Sequence, residues 1–213
     1  LLEKILERDN LLEAWKRVKG NRGAAGVDGM TIGEFPGFLR QHWEEIRRKL
    51  LDGTYYPSPV KRAEIPKADG TKRLLGIPTV LDRVIQQAIA RILSPDCEAD
   101  FSEHSFGYRP SRSARDAIRS VQRKSKSERK RWAVDCDLKS FFDTVNHDVL
   151  LDRLGRRISD RRVLSLIGRY LRAGVVELNG QLEETSEGMP QGGPLSPLFA
   201  NILLDDLDQE LEK

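Results

Sequence analysis

Paired cysteines, long apolar runs and a strong excess of either charge are all missing from this chain, and each absence removes a class of protein. The only cysteines, Cys97 and Cys136, lack the close pairing of a zinc site. Both are expected as small core residues in a reducing cytosol. No stretch approaches the roughly 20 apolar residues that cross a bilayer, and no basic-then-apolar leader opens the chain, so no membrane partner is expected. The chain opens on Leu1 rather than Met, as a trimmed sequence would. With 38% hydrophobic and 32% charged residues among 213, it carries enough apolar material for one good core or two small ones, and disorder is not expected.

Net charge is only +3, but it is unevenly spread. From Arg109 to Arg131 ten basic residues face two acidic ones, Asp116 and Glu128, whereas Asp205 to Glu212 is acidic. Such a basic run is either a solvated face or a phosphate-binding surface.

Apolar periodicity gives the outline. Asn10 to Glu13 has capping-box spacing, followed by Leu11, Ala14, Trp15 and Val18 on one face of a helix running to about Lys19. Glycines at 20, 23, 26 and 29 then predict a mobile loop, and Phe38 to Leu51 a second amphipathic helix. Asp69-Gly70 between Arg62 to Lys67 and Thr71 to Ile77 predicts a β-hairpin. Thr79 caps a periodic helix that Ser94-Pro95 should stop, and Ser113 begins a basic helix. Trp132 to Leu138 alternates as a strand; helices follow over about 147–157 and 160–172, and Asn179-Gly180 marks a second hairpin. Ser196 is a natural N-cap with Pro197 at the first helical position. Helices interleaved with hairpins give an α+β architecture rather than a doubly wound sheet.

Three segments carry chemistry. Asp135 and Asp137 are two apart in the alternating stretch and so can share a face, as carboxylates that hold cations for phosphoryl or nucleotidyl transfer must; a bare pair equally serves as strand-end acceptors. Gly188-Met189-Pro190-Gln191-Gly192-Gly193-Pro194-Leu195-Ser196-Pro197 joins glycines that admit close backbone approach, prolines that stiffen the turn and a Gln191 amide that can meet a base or sugar. Lys67 and Arg73 flank the first hairpin turn, where cations can reach a triphosphate or merely be solvated.

Together Val134 to Asp143 and Gly188 to Pro197 resemble the fingers and palm of a reverse transcriptase, and more narrowly the group II intron-encoded reverse transcriptase/maturase family. The segment from Asp137 through Phe142, Asp143, Val145, Asn146 and His147 matches the family motif that opens on its catalytic aspartate. The resemblance therefore implies Asp137 as catalytic residue and metal ligand, the Leu138 carbonyl as a further ligand, and Asp135 as a neighbour. It implies Phe142 as a steric gate against a 2′-hydroxyl, with Phe141 in the core, and Pro190, Gln191 and Gly192 around the nucleotide. Ile65-Pro66-Lys67 to Arg73 and Pro78 resembles the first fingers block, which assigns Lys67 and Arg73 to the triphosphate and leaves Lys72 less secure. Ser105 to Pro110 with Arg112 resembles the second block. Arg109 and Arg112, the basic Arg123, Lys124 and Lys126, and Arg22 in the Asn21 to Gly29 loop, read as a lid over the template, are the implied RNA contacts.

The implied fold is that of right-hand fingers and palm. Residues 1–36 form an amino-terminal extension, 37–131 fingers, and 132–213 a partial palm ending before the second acidic motif. The implied activity is RNA-directed DNA synthesis with a maturase role in splicing and mobility, using intron RNA as template, a DNA or RNA primer, dNTPs and two Mg²⁺ ions in a bacterial cytoplasm. These 213 residues alone are expected to be inactive, because the remaining metal ligands would follow Lys213. A homodimer, an RNA-binding splicing module without polymerase activity, and a reverse transcriptase of the retron or CRISPR type stay open.

Overall fold

Helices grow wherever apolar residues recur at helical spacing, and the computed structural model describes residues 1–66, 70, 72–127 and 132–213. They are α1 (Leu2–Ile5), α2 (Arg8–Gly20), α3 (Phe35–Leu51), α4 (Val80–Glu98), α5 (Ala114–Ser127), α6 (His147–Gly155), α7 (Arg161–Leu171) and α8 (Ser196–Leu211). Strands β1 (Val60–Pro66), β2 (Lys72–Ile77), β3 (Val175–Val176) and β4 (Leu182–Glu183) form one sheet in the order β2-β1-β3-β4. Both hairpins are antiparallel, and β1 joins β3 in parallel at Val60 and Val175. The α+β class expected from the sequence is what forms. One apolar core runs from Leu2 and Ile5 through Ile85 and Ile89 to Ile167 and Ile202, so the proposed extension, fingers and palm segments share their interior. No helix among the described residues is long and apolar enough to cross a membrane.

Several local expectations shift. Asn10 does not cap a helix: α2 begins at Arg8, and Asn10 donates to the carbonyls of Ile5 (2.9 Å) and Ala88 (3.1 Å) while accepting from Arg91. It ties three helices together. Helix α3 starts three residues before Phe38, because Thr31 and Glu34 bond each other reciprocally in the manner of a capping box and organise the preceding turn. Helix α8 is capped at Leu195, and the Ser196 hydroxyl instead donates to the Pro190 carbonyl (2.7 Å). The loop 20–29 is packed rather than free: a Cβ at Gly26 would lie 2.7 Å from the Thr79 backbone, and buried Arg83 donates to the Ala24 carbonyl (2.7 Å).

The stretch Trp132 to Leu138 forms no strand, and Trp132 is 94% exposed. Alternation supplies a face, yet a strand also needs a partner for its amides, and none of the four strands pairs with it. Cys136 is therefore exposed, contrary to expectation, whereas Cys97 is buried.

Helix α4 passes through Pro95 to Glu98 instead of stopping at Ser94. Proline removes one donor, but the last turn is held from outside by Arg109, whose side chain is only 3% exposed. Its guanidinium donates to the Glu98 carboxylate (3.0 Å), to the Glu98 carbonyl (3.4 Å), to Ser105 O (3.1 Å) and to Ser102 O. Arg109 is thus a clamp on the helix end and not an RNA contact, which corrects the reading made from the sequence. Removing one partner of a buried ion pair strands the other, so Arg109→Ala should cost about 3 kcal/mol. Arg112→Ala, which breaks half-exposed bonds to Glu103 O and Ser105 O, should cost nearer 1 kcal/mol. Urea unfolding of both variants measures this, and equal midpoints for the two would remove the clamp.

Candidate active site

Three backbone bonds bring distant segments together. The 3₁₀ turn Phe141–Asp143 follows Ser140, and the loop 188–193 is laid along it: Gly188 N–H donates to Val145 O (2.7 Å) and Met189 N–H to Phe142 O (2.7 Å). Gly188 has φ +81° and stands so close that a Cβ would lie 2.8 Å from Asp143 O, so this position requires glycine. The buried His147 ring, at the start of α6, reaches the same Gly188 carbonyl through Nε2 (2.6 Å). A carbonyl only accepts, so Nε2 carries the proton. On the far side of the loop, Gly76 N–H of β2 donates to Gln191 O (2.8 Å).

The result is a cleft of about 770 Å³. Arg73 and Lys72 of β2 line it on one side, Asp137, Leu138, Phe142 and Asp143 on another, with Gln191 between and Asp208 of α8 contributing a further carboxylate. Arg73 Nε donates to Gln191 Oε1 (2.8 Å), whereas Lys72 is paired with Glu64 (2.5 Å). Of the two candidate aspartates, Asp137 lines the cleft and Asp135 does not. Phe141 and Phe142 pack edge to face with centroids 5.4 Å apart, and both line the cleft half-buried, so Phe141 is not confined to the core. Pro190 and Gly192 sit behind the wall against Gly76 rather than in it.

Lys67 and Asp69 lie outside the described residues, as do residues 128–131 of the basic run. Helix α5 has no buried residue and carries Arg123, Lys124 and Lys126 in the open, with Lys124 Nζ 3.1 Å from His104 Nε2. Arg22 is exposed on its loop, and Arg112 is half-buried with its guanidinium beside the Phe106 ring. Among the cleft residues to which sequence reasoning gave no site role are Asp143, Asp208, Leu204 and Leu207. The acidic tail gave a signal for Asp208, but only the packing of α8 shows that Asp208 faces the cleft while Asp205 is buried.

Asp137 and the Leu138 carbonyl are hard oxygen donors of the type Mg²⁺ takes, but they are too few for an ion that takes about six ligands. No group of three His, Cys, Asp or Glu side chains stands close enough to hold a metal among the described residues.

Residues 65–213 match the family model for the reverse transcriptase (RNA-dependent DNA polymerase). The chain is 39% identical to protein YkfC of Escherichia coli over its whole length, covering 57% of that relative. It is also 39% identical to the group II intron-encoded protein LtrA of Lactococcus lactis, matching over 96% of this chain and 34% of that one. The chain thus spans between a third and three fifths of these relatives. A solved partial Cas6-RT-Cas1–Cas2 complex shares the fold with a TM-score of 0.65 over 99% of the chain and 35% of the solved one, at 24% identity. The segments that converge on the cleft, from β2 through Asp137 to the loop at Gln191, all lie inside the matched region, and the chain belongs to the reverse transcriptase family.

Proposed function

We propose that the full-length protein is an RNA-directed DNA polymerase of the group II intron type, serving as maturase in intron splicing and mobility. One observation carries this: an aspartate, a phenylalanine, a glutamine and an arginine from three separate segments line one cleft, and these are residue types that positioning and charge stabilisation in nucleotide addition call for. Arg73 takes the triphosphate, Gln191 and Phe142 the base and sugar side, and Asp137 the reacting end. Pro190 and Gly192 act from behind by holding Gln191 against β2. Reverse transcriptases generally use Mg²⁺. Asp137 and the Leu138 carbonyl would supply part of its shell. Intron RNA is the proposed template, with a DNA or RNA primer and dNTPs as substrates. Residues 1–36, 37–131 and 132–213 are taken as extension, fingers and partial palm. Arg22, Arg112, Arg123, Lys124 and Lys126 line the proposed RNA path, and Arg109 is withdrawn from it.

In the full-length protein Asp137→Asn should lower primer extension on an RNA template by on the order of a hundredfold or more, since it removes charge at the reacting end and little surface. Asp135→Asn should cost less than about tenfold. RNA affinity should stay near wild type in both, and the opposite ranking would reassign the catalytic carboxylate. Phe142→Val opens space under the sugar and should raise ribonucleotide relative to deoxynucleotide incorporation by roughly tenfold. Unchanged discrimination in single-nucleotide incorporation would return Phe142 to packing alone.

The basic helix is tested by salt. If Arg123, Lys124 and Lys126 touch phosphate, replacing all three by Ala should flatten the slope of log affinity against log salt by up to about two units, whatever the RNA sequence. Titrations at several salt concentrations decide it, and parallel lines would leave α5 a solvated face.

A further inference from the structure

The carboxylate of Asp82 is buried, 1% exposed, lies outside the lining of the cleft, and makes four hydrogen bonds. Oδ1 accepts from the hydroxyls of Tyr55 (2.6 Å) and Tyr170 (3.1 Å). Oδ2 accepts from Ser58 N–H (3.2 Å) and the Thr79 hydroxyl (2.7 Å). Their places in the chain matter more than their number. Ser58 stands two residues before β1 and Thr79 two residues after β2, so one oxygen holds both ends of the hairpin that carries Arg73. Tyr55 reinforces the entry side. Tyr170, near the end of α7, ties the same point to the segment leading into β3, which pairs with β1.

We infer that Asp82 is a positioning residue for nucleotide addition: it pins the base of the β1–β2 hairpin and thereby sets where Arg73 stands over the cleft. The inference rests on the polymerase reading for its kinetic arm. Beyond its pinned base, the hairpin is held to β3 by the β1–β3 pairing, with Val60 N–H donating to Gly174 O (3.0 Å), and by the Arg62–Glu177 ion pair (2.7 Å), and to the loop by Gly76 N–H to Gln191 O (2.8 Å) and Arg73 Nε to Gln191 Oε1 (2.8 Å). Each of these joins one strand to a neighbour, and none spans the entry and exit segments beyond the last ladder pair, Lys61 with Ile77. The surroundings favour an acceptor at this point, because the Ser58 amide can only donate and the Asp82 amide already occupies the Thr79 oxygen (3.1 Å). Burial pushes the carboxyl upward, and the hydrogen bonds from Tyr55, Thr79, Ser58 and Tyr170 oppose that rise. Asn should substitute well: its oxygen can keep the Ser58 and Thr79 bonds while its amide turns to tyrosine hydroxyls, which can accept. Ala supplies nothing.

The test uses the full-length protein and two readouts. In hydrogen exchange, Asp82→Ala should speed exchange of the hairpin amides over 60–66 and 72–77 by at least about tenfold and leave α6 and α7 near wild type, with Asp82→Asn restoring most of the protection. In steady-state extension, Asp82→Ala should raise KM for dNTP about fivefold with kcat within about twofold, again restored by Asn. A variant that melts earlier but keeps hairpin protection and KM would make Asp82 a packing residue only, and so would an Asn variant as impaired as Ala. If Ala abolishes folding, Tyr55→Phe combined with Tyr170→Phe, which leaves the carboxylate in place, should raise hairpin exchange by a smaller factor. No change there would overturn the pin. If wild type incorporates no nucleotide at all, the polymerase reading falls, and hydrogen exchange still decides the pin.

Discussion

The cleft exists because one loop is hydrogen-bonded on both sides at once. From 188 to 193 the chain gives two amides to the Phe142 to Val145 segment and receives one from β2, so the fingers-side strand and the acid-bearing turn are held at a fixed separation by a single stretch of backbone. Each of those bonds is modest, about 1 kcal/mol net, but their loss would leave buried donors unpaired. Geometry is the larger effect. Gly188 allows an approach to Asp143 that no other residue permits, and His147 then fastens the carbonyl that this turn exposes. Without those three bonds Arg73, Gln191 and Asp137 would belong to three unrelated surfaces.

This explains which parts of the fold were legible in sequence. Elements whose signal is local were read well: the Thr79 cap, the helix starts near His147 and Asp160, and the Asn179-Gly180 turn all follow from side chains bonding backbone within a few residues. Elements that depend on a distant partner were read poorly. Asn10 has the composition of a cap, but its amide is used by Ala88, a residue 78 positions away. Pro95 looks like a stop until Arg109 is seen holding the turn beyond it. Trp132 to Leu138 has the alternation of a strand and no neighbour to complete it.

The site follows the same division. Asp137, Phe142, Gln191 and Arg73 were found because their motifs extend over several residues, and all four line the cleft. Arg109 was misread because charge is visible in sequence while burial is not, and an arginine with five donors is as useful for collecting helix-end carbonyls as for collecting phosphates. Asp208 and Asp143 were missed for the converse reason. Asp143 stood inside the matched motif without a role of its own, and nothing local sets Asp208 apart from the other acids of its segment.

The two cations of β2 show why the identity of a partner matters as much as its distance. Lys72 and Arg73 both line the cleft, and both have a short polar contact. Lys72 meets the Glu64 carboxylate, which cancels most of its charge at short range. Arg73 meets a neutral amide, Gln191, through Nε, which fixes the plane of the guanidinium without neutralising it, and among the described residues its two terminal nitrogens have no partner and can fork onto phosphate oxygens. A group that must bind an incoming polyanion needs to be held still and kept charged, and a glutamine does both. On this ground the adjacent lysine is the weaker candidate for the triphosphate, and the loop that builds the cleft wall also orients the residue that fills its cationic side.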